Sequence, residues 1–320
     1  MSDKATKRSV LVVGSANMDM VVSTPRFPKP GETILAGEFG MYPGGKGANQ
    51  AVACAKLGGE VTILAKMGQD MFSEQLTESL ERDGVDVGHV FTDEDSPTGI
   101  ALITVDQSGQ NEILVVSGSN MKLTPSEIES EADLFDAAGI VMLQLEIPLD
   151  VVVRSARLAK ESGAKVILNP APATELPDSL LRSVDFITPN ESETELLTGR
   201  TVDDHASAVA AARMLIDKGV RHVILTLGER GVLHVSAEGA NAYPAYSVDV
   251  VDTTAAGDAF NGALAFALSQ GRGVEEAVPF ANAVAGYCVT RMGAQTSMPT
   301  YGEVEAFIRD QPQPVLEEWV

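Results

Sequence analysis

The chain has 320 residues, of which 44% are hydrophobic, so it can bury a large interior in one or two α/β domains. Its 23 Lys and Arg residues against 45 Asp and Glu residues give a formal net charge of −22, which argues against nucleic acid and anionic membranes as partners. The polar start MSDKATKRSV has no signal-peptide pattern and no apolar run reaches membrane-spanning length, so a cytoplasmic protein is expected.

The first 120 residues combine short apolar runs with two helical patterns. The proline-rich PRFPKPG separates two extended segments, and DQSGQN between two apolar runs predicts a hairpin. The predicted strands and extended segments are residues 9–14, 21–24, 32–40, 61–67, 100–105 and 112–117, and the predicted helices are residues 46–57 and 72–82.

From residue 140 onward, strands and helices alternate. The predicted strands are residues 140–146, 165–171, 185–190, 222–228, 232–235 and 242–246, and the predicted helices are residues 149–162, 178–182, 191–198, 204–218, 257–269, 274–291 and 301–309. This alternation implies right-handed parallel crossovers. It therefore predicts an α/β fold with a mainly parallel sheet covered on both faces.

The cysteines and histidines indicate no metal or redox chemistry. Cys54 and Cys288 lie in apolar helical patterns and are expected to be reduced core residues. No histidine has metal-ligand spacing to another histidine or to a cysteine, so a zinc site is not expected. The four histidines are His89, His205, His222 and His234.

The stretch VDTTAAGDAFNG, residues 251–262, joins two acidic residues to a run of small ones. Asp252, Thr253 and Thr254 can cap a helix, and the small residues after them leave their backbone N–H groups open to an anion. A carboxylate beside such an anion hole, here Asp258, is suited to taking a proton or holding a cation. The simpler reading is a capped helix with Asp258 as a favourable charge in its first turn.

The stretch GMYPGGKG, residues 40–47, differs by one residue from a P-loop, which requires Ser or Thr where Gly47 stands. It also follows no clear buried strand, so a P-loop is not expected. The glycines of GGKG can instead form a backbone wall against a polyol, with Lys46 and Asn49 reaching its hydroxyls. A flexible turn before a helix explains the same residues without a ligand.

Polar side chains also follow two buried strands. Asn17 and Asp19 come after the first strand, and in extended chain they face one side, where they can bind adjacent hydroxyls of a sugar. Turn formation is the ordinary role of such residues. Glu146 ends the apolar strand MLQLE, and a charged residue in that position needs a partner or a ligand.

Two further motifs follow predicted strands. Asn190 and Glu193 in TPNESE can project from one helical turn toward the same ligand, although a capping box explains the pair equally. TLGERG, residues 226–231, has glycines that allow a nucleotide close to the backbone, and a plain turn between strands is the alternative.

The series GSANMD, PGGKGANQA, LNPAPA, TPNESE, TLGERG, DTTAAGDAFNG and TRMGAQTSMP resembles, in order and over nearly the whole chain, the ribokinase (PfkB) family of sugar kinases. The resemblance implies one ribokinase-like domain over residues 1–320: a three-layer α/β/α unit with a small inserted β-sheet lid. It places the lid at about residues 20–43 and 98–119. Because small isolated sheets are marginally stable, we expect two lids to pack together in a homodimer.

The resemblance also assigns site residues. It implies Asp258 as the catalytic base beside an anion hole of Ala255, Ala256 and Gly257. The implied sugar-binding residues are Asn17, Asp19, Gly45, Lys46, Asn49, Glu146 and Asp258. The implied ATP-binding residues are Asn190, Thr226, Gly228, Gly231, Gly257 and Asn282.

Two ions follow from the same resemblance. Asn190 and Glu193 are implied to organise Mg²⁺ through water. An activating monovalent cation, K⁺, is implied at a site made largely of backbone oxygens, formed by Asp252, Thr254, Cys288, Arg291, Gly293 and Ser297.

The implied activity is phosphorylation of D-ribose at its 5-hydroxyl by ATP, giving D-ribose 5-phosphate and ADP. A kinase for deoxyribose, another small sugar or a nucleoside is the alternative; only Phe39 and Tyr42 are aromatic near the sugar loops, which disfavours a stacked base. A sugar-sensing protein without catalysis is opposed by the presence of Asp258, Asn190 and Glu193. A nicotinamide dehydrogenase is disfavoured because no G-x-G-x-x-G follows a predicted strand.

Overall fold

The computed structural model describes residues 8–312, so the polar N-terminal segment 1–7 and residues 313–320 of the predicted single domain lie outside it. Thirteen strands form two sheets in this part of the chain. They are β1 Val10–Val13, β2 Asn17–Thr24, β3 Phe39–Gly44, β4 Val61–Gly68, β5 Val85–Asp93, β6 Gly99–Asp106, β7 Asn111–Val116, β8 Ile140–Leu143, β9 Lys165–Leu168, β10 Phe186–Ile187, β11 His222–Thr226, β12 Val232–Ser236 and β13 Gly239–Tyr243.

Helices cover the larger sheet. They are α1 Lys46–Lys56, α2 Met71–Arg82, α3 Pro125–Ser130, α4 Ala132–Ala137, α5 Leu149–Glu161, α6 Asp178–Leu181, α7 Glu191–Thr198, α8 His205–Asp217, α9 Ala256–Ser269, α10 Val274–Cys288 and α11 Tyr301–Asp310. Among the described residues, no helix combines the length and the apolar character needed to cross a membrane.

The larger sheet has nine strands in the order β13-β12-β11-β10-β9-β8-β1-β4-β5. The strands from β11 to β5 in this order are parallel, while β12 pairs antiparallel with β11 and β13 pairs antiparallel with β12. The central β1 is buried on both faces: Val10 and Val12 pack with the core on the α1, α9 and α10 side, and Leu11 and Val13 pack with the α5 and α8 side. A sheet covered in this way reads in the sequence as continuous apolar runs.

Helices α1 and α9 approach each other closely because Gly262 has no side chain. A Cβ on Gly262 would lie 2.5 Å from Ala53 Cβ and 2.6 Å from the Gln50 carbonyl oxygen. The contact brings the first turns of α1 and α9 together at the edge of the sheet where the parallel strands end, which is where open α/β sheets bind ligands.

The smaller sheet has four strands in the order β3-β2-β6-β7. Strands β2 and β6 are parallel, and the outer strands β3 and β7 are antiparallel to their neighbours. All six residues of β7 are exposed, including four consecutive apolar ones from Ile113 to Val116. This sheet therefore presents apolar surface that the described chain does not cover.

The predicted fold class is confirmed: a mainly parallel sheet between helices, with a small second sheet. The extended segment predicted at 32–40 is wrong, since the strand is Phe39–Gly44. It tolerates Pro43 because β3 is an edge strand that needs fewer backbone donors. The predicted strand 242–246 lies three residues too late, and the predicted helix 274–291 ends at Cys288.

Three elements were not predicted. Strand β5 is an edge strand with polar residues and Gly88 between its apolar ones, so its sequence lacks an apolar run. Helices α3 and α4 have six residues each, too short for a clear helical period. Cys54 and Cys288 are free and buried, which confirms the prediction of reduced core cysteines.

Candidate active site

Helix α9 starts with an unusual backbone conformation. Its N-cap residue Ala255 has φ 59° and ψ 14°, and it is the one non-glycine residue of residues 8–312 with positive φ. The left-handed region costs an alanine about 1–2 kcal/mol, and such strain collects at functional sites. A Cβ built on Gly257 would meet no atom within 4 Å, so the first turn of α9 borders open space.

The carboxylate of Asp258 lies in this first turn and is only 7% exposed. It accepts one hydrogen bond at each oxygen, from Asn49 Nδ2 at 3.0 Å and from Gln50 Nε2 at 3.0 Å. Burial raises the pKa of Asp258, while the Lys46 ammonium and the two amide donors oppose that rise. The result is a carboxylate with a higher than ordinary proton affinity, as a general base requires.

The sequence reasoning missed Gln50. Its Nε2 bonds Asp258 and also donates to Asn169 Oδ1 at 3.0 Å, and its Oε1 accepts from Gln144 Nε2 at 2.7 Å. The Gln50 amide is therefore fixed in one orientation. Two features of the sequence could have indicated Gln50. It follows Asn49 near the start of α1, and its partner Asn169 lies in the motif LNPAPA.

Strand β2 contributes Asn17 and Asp19, which share one face as predicted. Asn17 Oδ1 accepts from Asn120 Nδ2 at 2.7 Å, which fixes its amide. Burial, together with the nearby carboxylates of Glu146 and Asp258, raises the pKa of Asp19 to about 7. A Cβ on Gly44 would overlap the Asp19 carboxylate, so a side chain at position 44 would displace that carboxylate.

Glu146 has the partners that its position at a buried strand end demands. Ser15 Oγ donates to its Oε2 at 2.5 Å, and the Lys46 backbone N–H donates to the same oxygen at 3.1 Å. Ser15 is a second residue that sequence reasoning missed. Burial disfavours the charged form of Lys46, but the carboxylates of Asp258, Glu146 and Glu193 outweigh it and raise the Lys46 pKa.

The GGKG glycines pack against the turn between β1 and β2. Gly45 has φ 89°, and a Cβ there would lie 2.7 Å from the Asn17 backbone nitrogen. A Cβ on Gly47 would meet the backbone of Gly14 and Ser15. Packing alone thus explains these glycines, and residues 40–44 form a strand of the small sheet rather than a loop after a buried strand.

Asn190 and Glu193 form the capping box that the sequence allowed. Asn190 Oδ1 accepts from the Glu193 N–H at 2.8 Å, and Glu193 Oε2 accepts from the Asn190 N–H at 2.9 Å. Burial raises the pKa of Glu193, opposed by its hydrogen bond from Asn190 and by Lys46. A backbone bridge joins Asn190 to Thr226, so the ends of β10 and β11 lie side by side.

Two of the proposed nucleotide residues, Gly231 and Asn282, contact the end of β13 and the segment after it. A Cβ on Gly231 would overlap the Tyr243 carbonyl oxygen, whereas Gly228, with φ 56°, faces open space. Asn282 donates from Nδ2 to the Pro244 carbonyl at 2.8 Å. Gly231 is thus explained by packing, and Gly228 has the room that a ligand needs.

The residues expected around a monovalent cation also come together. The Asp252 carboxylate accepts from the backbone N–H groups of Thr254 at 2.9 Å and Gly293 at 2.8 Å. Burial would raise the Asp252 pKa, but its hydrogen bonds from Thr254 and Gly293 lower it on balance. Cys288 Sγ lies 2.8 Å from Ser297 Oγ.

The side chain of Arg291 points away from this group, with its guanidinium 3.7 Å from the ring centroid of Tyr287. Arg291 can therefore contribute to a cation site only through its backbone. The remaining donors are a carboxylate, a hydroxyl and carbonyl oxygens, which suit a hard cation.

An α/β sheet with a carboxylate at a small-residue helix start, facing polar groups on a second small sheet, is the architecture of a carbohydrate kinase. The sequence profile of the pfkB family carbohydrate kinases matches residues 7–301, and the chain belongs to that family.

Relatives match almost end to end. The ribokinase of Haemophilus influenzae is 42% identical over 303 residues, which cover 94% of this chain and 99% of that protein. The deoxyribokinase of Salmonella typhi is 39% identical over 300 residues, covering 93% and 98%. The structure of Arabidopsis thaliana ribokinase complexed with ribose and ATP has a TM-score of 0.88 at 35% identity, covering 94% and 98%. The predicted family is confirmed.

Proposed function

We propose that this chain phosphorylates D-ribose at its 5-hydroxyl with ATP, giving D-ribose 5-phosphate and ADP. One observation carries the proposal: the buried Asp258 carboxylate stands in the first turn of a helix that borders open space at Gly257. The relatives support the substrates, since the ribokinase of Haemophilus influenzae, of similar length, is 42% identical and that of Arabidopsis thaliana is solved with ribose and ATP.

In the proposed reaction, the sugar O5 attacks the γ-phosphorus of ATP and its proton passes to Asp258. A new P–O5 bond forms as the bond from the γ-phosphorus to the bridging oxygen breaks, and ADP leaves with that electron pair. A well-placed base contributes about 10²–10⁴ in rate. The backbone N–H groups of residues 255–258 hold the charge that develops on the phosphoryl oxygens.

Asn17, Asp19, Lys46, Asn49 and Glu146 are proposed to bind the sugar hydroxyls, against the backbone of Gly45. The raised pKa of Asp19, about 7, supports this role, because a carboxyl that is partly protonated near neutral pH can both donate to and accept from a hydroxyl.

Asn190, Thr226, Gly228, Gly231, Gly257 and Asn282 are proposed to contact ATP. Mg²⁺, when bound, neutralises charge on the phosphates. Contact through water suits Asn190 and Glu193, because it leaves their capping box intact.

A monovalent cation, K⁺, is proposed to bind near Asp252, with Thr254, Gly293 and Ser297 and the backbone oxygens of Cys288 and Arg291. Such an ion would order the loop that touches the start of α9. Measured rates in K⁺ and in a large organic cation test this assignment. Equal rates would reject it.

The small sheet, at about residues 20–43 and 98–119, is proposed as a lid. One face of this lid covers the sugar, and the other face packs against a second copy of the chain. Met20, Leu102 and Leu114 share the face opposite Asp19, and Leu114 is 69% exposed. Two such faces packed together would bury this apolar surface in a homodimer. Sedimentation as a monomer at micromolar concentration would reject the dimer.

Deoxyribose is the second candidate substrate, because the Salmonella typhi deoxyribokinase is 39% identical to this chain. An ADP-release assay over pentoses, deoxyribose, hexoses and nucleosides separates the candidates. We expect the highest kcat/KM with D-ribose. Higher kcat/KM with deoxyribose would transfer the assignment to that sugar, and ribose binding without ADP release would favour a sugar-sensing protein.

A further inference from the structure

The loop of residues 293–298 connects two parts of the site. At one end, the Gly293 N–H donates to Asp252 Oδ2, just before the start of α9. Further along, Lys56 Nζ of α1 donates to the Gln295 carbonyl at 2.8 Å and to the Met298 carbonyl at 3.4 Å. The loop is therefore bonded to the last residue of α1 and to Asp252 just before α9, the two helices that meet at Asp258.

The side chain of Gln295 reaches from this loop into the site. It is 6% exposed, and its Nε2 donates to Asn49 Oδ1 at 3.1 Å. Asn49, also 6% exposed, donates from Nδ2 to Asp258 Oδ2 at 3.0 Å. Two buried hydrogen bonds in series thus join the Gln295 amide to the Asp258 carboxylate.

The direction of these bonds matters because an Asn amide can rotate by half a turn and exchange its oxygen with its NH₂ group. While Asp258 is charged, its own field keeps the Asn49 NH₂ turned toward it. Once Asp258 carries a proton, a rotated Asn49 could accept that proton in a hydrogen bond and stabilise the protonated base. The Gln295 NH₂ opposes the rotation, since it would then face the Asn49 NH₂. Rotation of Gln295 itself would move its NH₂ to the buried position where Gln295 Oε1 now has no hydrogen-bond partner, which leaves the donor unsatisfied.

We propose that Gln295 is a positioning residue that holds Asn49 as a hydrogen-bond donor to Asp258 and so limits the proton affinity of that carboxylate. The proposal deepens the assignment of Asp258 as the base and rests on it. Other titratable groups also interact with Asp258, and the Gln295 variants keep every one of these residues. They are Asp19 on β2, Lys46 on α1, Glu146 after β8, Glu193 on α7 and Cys288 on α10.

The test is a ¹³C-carboxyl NMR titration of the full chain without substrate, with the Asp258 signal identified by its loss in Asp258→Asn. In Gln295→Met, which keeps the side-chain length but removes the donor, we expect the Asp258 pKa to rise by about half a unit or more. Thr296→Val is the matched control: it removes a hydroxyl of the same loop that bonds only the Met292 carbonyl, so the pKa should not move.

A double-mutant cycle distinguishes positioning from general loosening of the loop. In an Asn49→Leu background, Gln295→Met should cause no further change of the Asp258 pKa. Gln295→Asn, whose donor is one methylene short, is the milder variant should Gln295→Met fail to fold, and it should shift the pKa the same way by less. An unchanged pKa in the folded Gln295 variants, or an equal shift in both backgrounds, would overturn the proposal.

The acidic limb of the kcat profile should move to higher pH with the same variants. The titration needs no sugar or ATP. A wild-type chain without sugar-dependent ADP release would therefore contradict the proposed function, while the titration would still decide the role of Gln295.

Discussion

The two sheets of this molecule use similar apolar strands in opposite ways. In the large sheet, β8 reads IVML and all four residues are buried. In the small sheet, β7 reads NEILVV and all six residues are exposed. Helices on both faces bury the first strand, whereas the described chain places nothing over the second. An apolar run therefore predicts a strand but not what covers it.

This difference means that the large sheet contributes mainly to stability and the small sheet mainly to the candidate site and its surface. The large sheet holds the fold together and fixes the positions of Asp258, Asn49 and Gln50. The small sheet contributes Asp19 to the candidate site and leaves apolar surface on its other face for the proposed second copy. Substitutions that are alike in chemistry should therefore have unlike effects in the two sheets.

The largest contrast is expected from a charge placed in each sheet. Val141, in the middle of β8, is 0% exposed, so Val141→Asp buries an unpaired carboxylate and should cost more than about 4 kcal/mol of unfolding free energy. Leu114→Asp on β7 should cost less than about 1 kcal/mol per protomer in folding. Urea unfolding measures both.

For Leu114→Asp, sedimentation should show weakened self-association, because the substitution places charge on the outer face of the small sheet. Similar losses of unfolding free energy for Val141→Asp and Leu114→Asp would contradict the comparison between the sheets.

The second prediction concerns the pH dependence contributed by Asp19. Burial, together with the carboxylates of Glu146 and Asp258, raises its pKa from 3.8 to about 7. Between these pH values the native state binds more protons than the unfolded chain, so stability falls as pH rises through that window. Asp19→Asn removes this term. Because each pKa unit is worth about 1.4 kcal/mol, the melting temperature of Asp19→Asn relative to wild type should be about 6 °C higher at pH 8 than at pH 4.

Asp106, in the hairpin of the same sheet, is the control of opposite sign. Hydrogen bonding from Ser108 lowers the Asp106 pKa, so Asp106→Asn should lose stability at neutral pH instead of gaining it. Thermal unfolding of both variants at pH 4 and pH 8 checks the pair. If Asp19→Asn raised the melting temperature by the same amount at pH 4 and pH 8, the ionisation of Asp19 would not be the cause.

The smallest expected effect is at Ala255. Replacing it with glycine relieves about 1–2 kcal/mol of left-handed strain and costs about 0.5–1 kcal/mol of chain entropy. Ala255→Gly should therefore melt slightly higher than wild type, and Ala256→Gly, inside the helix, should melt lower. Equal losses in the two variants would show that Ala255 is not strained.

Most of the architecture could be predicted from the sequence, because buried parallel strands such as β1 and β8 are uninterrupted apolar runs. The predictions failed where an edge strand is polar, as in β5, or carries a proline, as in β3. Edge strands need neither continuous burial nor every backbone donor, so their sequences are less constrained.

The site was predictable only as far as its motifs reach. Asp258, Asp19 and Glu146 stand at strand or helix ends where an unpaired carboxylate needs an explanation. Gln50 and Gln295 do not stand out, because an uncharged amide on a helix or loop is ordinary until the fold shows its partners. His222 and His234 lack metal-ligand spacing in the sequence, yet strand pairing brings their ring nitrogens to 3.0 Å.

The most direct test of the account is the turnover of Asp258→Asn, with D-ribose and ATP saturating and ribose binding measured by calorimetry. The asparagine keeps the size of the side chain but cannot take the proton from O5. We predict ribose binding within a few-fold of wild type and a kcat lower by about 10²–10⁴. A kcat within tenfold of wild type would contradict the claim that Asp258 is the base.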